Sequence, residues 1–231
     1  MNDFNEEQQR YERDTVYVDT SSEIINNGEL SHSTYNLMIG LTLFWGFFVN
    51  IILLKTCPLL PLQIGEIPFI IGYFILCISG ILMTKFSKKP LISFIGYNMV
   101  VVPMGLALNM CLLSYSPDAI FRAVTITGLV TLCMMALSYV FPKVFAHLGK
   151  ALGIMLLITI FVELGSMFFF PQAHAFLDYV VIFIFCGYIG YDWYVANQLE
   201  KTLDNAIDSA CNIYVDIINL LIRILARSND D

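Results

Sequence analysis

Charged residues are scarce in this chain of 231 residues, of which Asp, Glu, Lys and Arg make up only 13%. Soluble globular domains carry about 25% charged residues, so the composition excludes an ordinary soluble domain. Lys and Arg number only 12, and the formal net charge is -7, which argues against nucleic acid as a partner. The 3 histidines and 6 cysteines show no metal-binding or CxxC spacing, so no resident cofactor is predicted.

Long apolar stretches occupy most of the remaining sequence. The chain is 58% hydrophobic with a mean hydropathy of +0.72, and residues 67–84, 90–117, 123–142 and 164–177 include no Asp, Glu, Lys or Arg. A helix needs about 20 apolar residues to cross a membrane. We therefore predict an all-α membrane protein with seven transmembrane helices, at residues 35–55, 66–85, 91–114, 119–141, 149–170, 175–197 and 205–226.

The first 33 residues differ in composition from the rest of the chain. They hold eight acidic residues against Arg10 and Arg13, and they lack the apolar segment of a signal peptide. Such a composition is typical of a solvated chain that does not fold alone. Residues 1–33 are therefore predicted to be an acidic, flexible cytoplasmic tail, and residues 34–231 the seven-helix transmembrane domain.

The lysines indicate which helix ends face the cytoplasm. Lys85, Lys88 and Lys89 share one predicted loop, and Lys143 and Lys150 share another. Cytoplasmic loops are enriched in Lys and Arg, so these loops and the N-terminus are predicted to be cytoplasmic. The chain has no Asn-x-Ser/Thr sequon, which favours a bacterial inner (plasma) membrane. In a eukaryote, the endoplasmic reticulum or Golgi membrane is expected instead.

The seventh predicted helix carries a polar stripe. Its members recur at steps of three or four residues and are Asp208, Asn212, Asp216, Asn219, Arg223 and Arg227. At about 100° per residue they occupy an arc of about 100°. Polar side chains within a membrane face protein or a water-filled cavity. The seventh helix is therefore predicted to lie at the centre, with the other six around it.

Two aspartates are predicted to meet between the sixth and seventh helices. Asp192 and Asp216 each lie twelve residues from Asp204 in the short connection, which places them at the same depth on antiparallel helices. Gly187 and Gly190 are expected to let these two helices approach closely. Two touching carboxyl groups share a proton and titrate together. When both are ionised, they form an oxygen site for transient Ca²⁺ binding. The alternative is a purely structural aspartate pair.

The same residues carry a resemblance. The stretch "GYIGYD" (187–192) followed by "YVDIIN" (214–219) resembles the helix-six and helix-seven motifs of the Bax inhibitor-1 family, also called the transmembrane BAX inhibitor motif family. Residues 123–152 resemble the fourth helix and following loop of the family more loosely. The resemblance implies six helices around a central seventh, with the paired aspartates as the pH sensor of a Ca²⁺ leak.

The resemblance also implies a cellular role. Eukaryotic members are linked to Ca²⁺ of the endoplasmic reticulum and to suppression of cell death, and bacterial members to the inner membrane and, in some, to a membrane-bound protease. Some members carry a basic residue on the second helix that pairs with the aspartates. Residues 67–84 contain no such residue, so either Arg223 or the shared proton alone is expected to hold the pair closed.

Two functions are therefore carried forward. The first is a pH-sensitive Ca²⁺ leak through the membrane, with Asp192 and Asp216 as sensor and pathway and with Glu163 as a candidate for lining it. The second is a non-conducting regulator that binds a membrane protease or another membrane protein. No enzyme is predicted, because an aspartyl intramembrane protease of the presenilin type requires the motifs GxGD and PAL, and the chain contains neither. The expected partners are membrane lipid, Ca²⁺ and, for the second function, that protein.

Overall fold

Seven long helices build the structure, a computed structural model that describes residues 29–169 and 174–228. They are α1 (His32–Thr56), α2 (Glu66–Phe86), α3 (Pro90–Leu112), α4 (Pro117–Val140), α5 (Leu148–Phe169), α6 (His174–Gln198) and α7 (Leu203–Arg227). All seven are long and apolar enough to cross a membrane. The predicted all-α fold is confirmed, and each predicted helix end lies within three residues of the observed one.

The helix starts follow from local sequence. Ser31, Ser116 and Thr202 each cap a helix by accepting a hydrogen bond from a backbone N–H three residues later, as such side chains commonly do. Pro90 and Pro117 occupy the first turns of α3 and α4, where the missing N–H costs nothing. Two short helices, Leu60–Ile64 and Pro142–Phe145, were not predicted because they span too few residues to show a helical period.

Helix α7 lies at the centre of the bundle, as predicted. It packs against α1, α2, α3, α4 and α6, and an ion pair joins it to α5. In its apolar stretch 61% of the residues are buried, against 11% in α5. At about 1.5 Å per residue its 25 residues extend about 37 Å, which is long enough to cross the roughly 30 Å hydrocarbon layer.

Buried hydrogen bonds fix α7 against α1 and α3. The Tyr214 hydroxyl accepts a hydrogen bond from Asn50 Nδ2 at 2.8 Å. The Tyr97 ring meets the Tyr214 ring edge to face, with centroids 5.7 Å apart, and its hydroxyl donates to the carbonyl oxygen of Thr42 at 2.9 Å. Both tyrosines are fully buried. This cluster sets the rotation of α7 and so directs the polar stripe toward the other side of the helix.

The predicted cytoplasmic end is tied together by polar contacts. The backbone N–H of Leu30 donates to the Lys201 carbonyl oxygen at 2.6 Å, so the start of α1 touches the connection between α6 and α7. Lys201 Nζ donates to three carbonyl oxygens at the end of α6, at 2.7 to 3.3 Å. Burial lowers the pKa of this ammonium group. Residues 1–28 of the predicted acidic tail lie outside the described residues, and α1 begins at His32, inside the predicted tail.

Candidate functional site

Asp192 on α6 and Asp216 on α7 face each other inside the bundle. Their carboxyl groups lie close enough to interact directly, and only 6% of Asp216 is exposed. Its Oδ2 atom receives no donor from any other part of the chain that the structure describes. A hydrogen bond between two carboxyl groups requires a proton on one of them. We call these two residues the aspartate pair; the structure brings them together, and their role remains a prediction.

A cation from α2 lies within electrostatic range of the aspartate pair. Lys85, in the last turn of α2, interacts electrostatically with Asp192. Its side chain is exposed, and no ion pair within 4.0 Å joins the two groups among the residues described. Lys85 directly follows residues 67–84, the stretch that contains no basic residue. Lys85 is therefore a basic residue of the second helix that lies within electrostatic range of Asp192 without a direct ion pair.

Arg223 does not hold the aspartate pair, so that expectation is wrong. Its Nη1 atom lies 2.7 Å from Glu163 Oε1 on α5 and 2.7 Å from Asp178 Oδ1 on α6. Its Nη2 atom donates to Glu163 Oε2 at 3.0 Å. The side chain of Arg223 is 30% exposed, that of Glu163 23% and that of Asp178 15%. We call Glu163, Asp178 and Arg223 the Arg223 cluster. It lies about 10 Å beyond Asp216 along α7, toward the C-terminal end of the helix.

A polar cavity opens at the predicted cytoplasmic end. Its volume is about 710 Å³, and it lies between the α2–α3 turn and the α6–α7 connection, with Lys85, Asp204 and Asp208 in its wall. Ser93 Oγ donates to Asp204 Oδ1 at 2.7 Å. Asp208 lies beside both of these side chains. The cavity therefore brings water and two acidic groups to a point about 12 Å short of Asp216 along α7.

The remaining members of the stripe lie apart from these sites. Asn212 is exposed. Asn219 Nδ2 donates to the carbonyl oxygen of Val215 in its own helix, at 2.8 Å. The Arg227 guanidinium lies over the Tyr179 ring at 5.2 Å. The polar side chains on one face of α7 thus lie in different environments, because α7 has a different neighbour at each depth.

Two glycines of α6 have different neighbours from those predicted. A side chain at Gly187 would meet Leu152 of α5, and one at Gly190 would meet the ring of Phe145 in the short helix after α4. The expectation that both glycines face α7 is therefore wrong. They let α5 and the short helix approach α6, and α6 and α7 pack closely without them.

The structure assembles no larger metal site. Within residues 29–169 and 174–228, no group of three or more His, Cys, Asp or Glu side chains is arranged to hold a metal ion. All six cysteines are free. The aspartate pair alone would offer a cation two carboxyl groups, few compared with the six to eight oxygen ligands that Ca²⁺ takes in a stable site.

Comparisons with known proteins agree with this architecture. Residues 28–227 match the family model described as Inhibitor of apoptosis-promoting Bax1. Bax inhibitor 1 of Schizosaccharomyces pombe is 31% identical over 163 residues, which cover 68% of this chain and 59% of that protein. The chain thus aligns with less than two thirds of its relative's length. No solved structure matches the chain.

Proposed function

Because this chain belongs to the Bax inhibitor-1 family, we propose that it is a pH-sensitive Ca²⁺ leak whose gate is the aspartate pair. The observation that carries the proposal is the direct contact between Asp192 and Asp216 across α6 and α7. One shared proton joins the two helices there, and loss of that proton leaves two charges that repel each other. Proton binding is thereby coupled to the packing of α6 against the central helix.

The order of polar groups along α7 supports a route for a cation. The cytoplasmic cavity presents Asp204 and Asp208, the aspartate pair follows, and the Arg223 cluster occupies the far end. Each layer places carboxylate oxygens beside α7 at successive depths. Rings or pairs of acidic side chains favour cations in membrane pathways.

The aspartate pair offers Ca²⁺ too few ligands to hold it tightly, which suits an ion that passes through the site. Ca²⁺ prefers hard oxygen ligands and takes six to eight of them in stable sites. Two carboxyl groups would leave most positions to water, so an ion would exchange quickly. Conduction requires such weak binding. We therefore treat Ca²⁺ as the transported ion.

The leak requires a membrane that holds a Ca²⁺ gradient directed toward the cytoplasm. A bacterial inner membrane and the membranes of the endoplasmic reticulum and Golgi all meet this condition. In a eukaryotic cell the leak would set the Ca²⁺ content of an organelle and, through it, the response to death signals. This part of the proposal follows from the family and not from the geometry.

The proposal is tested by Ca²⁺ flux into dye-loaded liposomes that contain the purified protein, measured from about pH 5 to pH 8, the range over which a buried carboxyl pair titrates. Asp192→Asn and Asp216→Asn remove one ionisable group each while keeping the side-chain shape. Glu66→Gln is the matched control, because Glu66 is an exposed carboxylate at the start of α2. Wild type and control should show pH-dependent flux, and both pair variants should lose the pH dependence.

Other outcomes would reject the proposal in distinguishable ways. Flux that stays pH-dependent in both pair variants would place the sensor elsewhere. Flux no greater than in empty liposomes at every pH would exclude the leak and favour the non-conducting regulator. In that case, another membrane protein, such as a protease, should copurify with the chain in a stoichiometric amount.

A further inference from the structure

An apolar groove runs between α1 and α4. Its volume is about 660 Å³, within the range of small-molecule sites. Its rims include Ile51, Val124 and Leu132, which are 53%, 51% and 67% exposed. Exposed apolar side chains at this depth face hydrocarbon, so the groove opens sideways into the bilayer.

Two polar side chains that line this groove, Asn109 and Thr131, have no hydrogen-bond partner among the residues described. Asn109 on α3 lines the groove and is only 1% exposed. Neither its Nδ2 nor its Oδ1 atom finds a hydrogen-bond partner among the residues described. Lipid tails cannot satisfy such groups, and leaving them unpaired in hydrocarbon is costly. A ligand that enters the groove and reaches the amide would supply the missing partner.

The chemistry of the amide specifies that ligand. A carboxamide presents a donor and an acceptor side by side, and a protonated carboxylic acid presents the complementary acceptor and donor. An ester lacks the donor, and an ionised carboxylate would place a negative oxygen against Oδ1. Asn109 lies three residues before the outer end of α3, near the depth at which lipid polar groups begin.

We propose that the α1–α4 groove binds a long-chain fatty acid of the outer leaflet, with its protonated carboxyl group on Asn109 and its chain lying inward between α1 and α4. Counting from the α3–α4 turn, Gly128 lies about 12 Å deeper than Asn109, beside the middle of such a chain. Gly40 and Gly128 both line the groove, and a Cβ atom at either position would meet nothing within 4 Å. These glycines leave free the space that the chain occupies.

The free space at Gly128 gives a test that does not depend on disturbing the fold. Gly128→Leu should fill the groove without displacing protein atoms. Gly72→Leu is the matched control, because Gly72 is another helical glycine with nothing within 4 Å of its Cβ position, and it does not line the groove. Asn109→Leu removes the amide at nearly constant volume and tests the polar contact separately.

The experiment uses the full chain in phosphatidylcholine liposomes with a fatty acid that carries a photoreactive diazirine in mid-chain. After illumination, mass spectrometry maps the labelled peptides. We expect labelling on the groove faces of α1 and α4, reduced about tenfold by Asn109→Leu, as loss of two hydrogen bonds predicts. Gly128→Leu should reduce it at least as much, Gly72→Leu should leave it unchanged, and the methyl ester of the same probe should label weakly.

Three results would overturn the proposal. Labelling that survives Gly128→Leu would show that the acid does not lie in the groove. Equal labelling by the acid, its methyl ester and a diazirine-bearing phosphatidylcholine would show that ordinary bilayer lipid fills the groove without recognition by Asn109. Labelling confined to other helices would place the site elsewhere. If Asn109→Leu does not fold, the Gly128→Leu comparison and the ester comparison decide the outcome.

Discussion

Replacement of Arg223 tests the cluster that the structure places at the far end of α7. In Arg223→Gln, Glu163 and Asp178 lose the cation that both of them bind at 2.7 Å through the same Nη1 atom. The two carboxylate oxygens on that atom cannot be further apart than twice this distance. Without the guanidinium, two like charges remain close together in a partly dehydrated site.

The expected loss of stability follows from this geometry. Exposed ion pairs contribute about 0 to 1 kcal/mol, and breaking a buried pair costs about 3 to 5 kcal/mol. The three side chains are 30%, 23% and 15% exposed, which places the cluster between these limits. We expect Arg223→Gln to lower the free energy of unfolding by about 2 to 3 kcal/mol. At this chain length, that corresponds to a melting temperature lower by about 4 to 12 °C.

Thermal unfolding in detergent, followed by tryptophan fluorescence, measures this loss. Arg122→Gln is the control, because Arg122 is an exposed arginine on α4 and is expected to shift the melting temperature little. The double variant Arg223→Gln/Glu163→Gln removes one of the two repelling charges, so it should be more stable than Arg223→Gln alone. An effect of Arg223→Gln no larger than that of Arg122→Gln, or no recovery in the double variant, would refute the reasoning.

Two further substitutions test the packing of the central helices. Tyr214→Phe removes the hydroxyl that Asn50 Nδ2 binds and should lower the free energy of unfolding by about 1 to 3 kcal/mol, measured by the same melting assay. Gly190→Ala places a methyl group against the ring of Phe145 and should cost about 1 to 3 kcal/mol. Gly72→Ala, with open space at its Cβ position, should cost nothing comparable, and equal melting temperatures for the two glycine variants would contradict the packing account.

The helix boundaries and the aspartate pair could be predicted because local rules determine them. Prolines and capping side chains begin the helices at fixed positions in the sequence. The depth of Asp192 relative to Asp216 depends only on helical rise and on the short connection between α6 and α7. Neither inference requires knowledge of which other helices lie nearby.

The neighbours of each side chain could not be predicted in the same way. Periodicity shows that Asp216 and Arg223 share one face of α7, but it does not show that α5 contributes Glu163 there and α6 contributes Asp178. Small residues such as Gly190 indicate a close approach without identifying the helix that approaches. Depth counting across the predicted α5–α6 connection places Glu163 and Asp178 about one helical turn apart in depth, which is too coarse to pair them.

Lys85 was missed for a different physical reason. It lies in the last turn of α2 and was considered only as one of the lysines that mark the cytoplasmic side, yet it lies within electrostatic range of Asp192. Long lysine side chains extend away from their backbone position along apolar surface. A search for partners of a buried acid therefore needs to include the residues just beyond the apolar stretch.

Two of the polar layers along α7, the aspartate pair and the Arg223 cluster, differ in how they can respond to protons. Arg223 keeps its charge at every physiological pH, so the Arg223 cluster cannot act as a proton switch through its cation. The aspartate pair, in contrast, depends on one shared proton for its contact. If the chain conducts Ca²⁺, loss of the Arg223 cluster should therefore change the amount of flux and keep its pH dependence, whereas loss of either aspartate should remove the pH dependence. A flux in Arg223→Gln that no longer responds to pH would mean that the two layers act as one unit, and the assignment of proton sensing to the aspartate pair alone would be wrong.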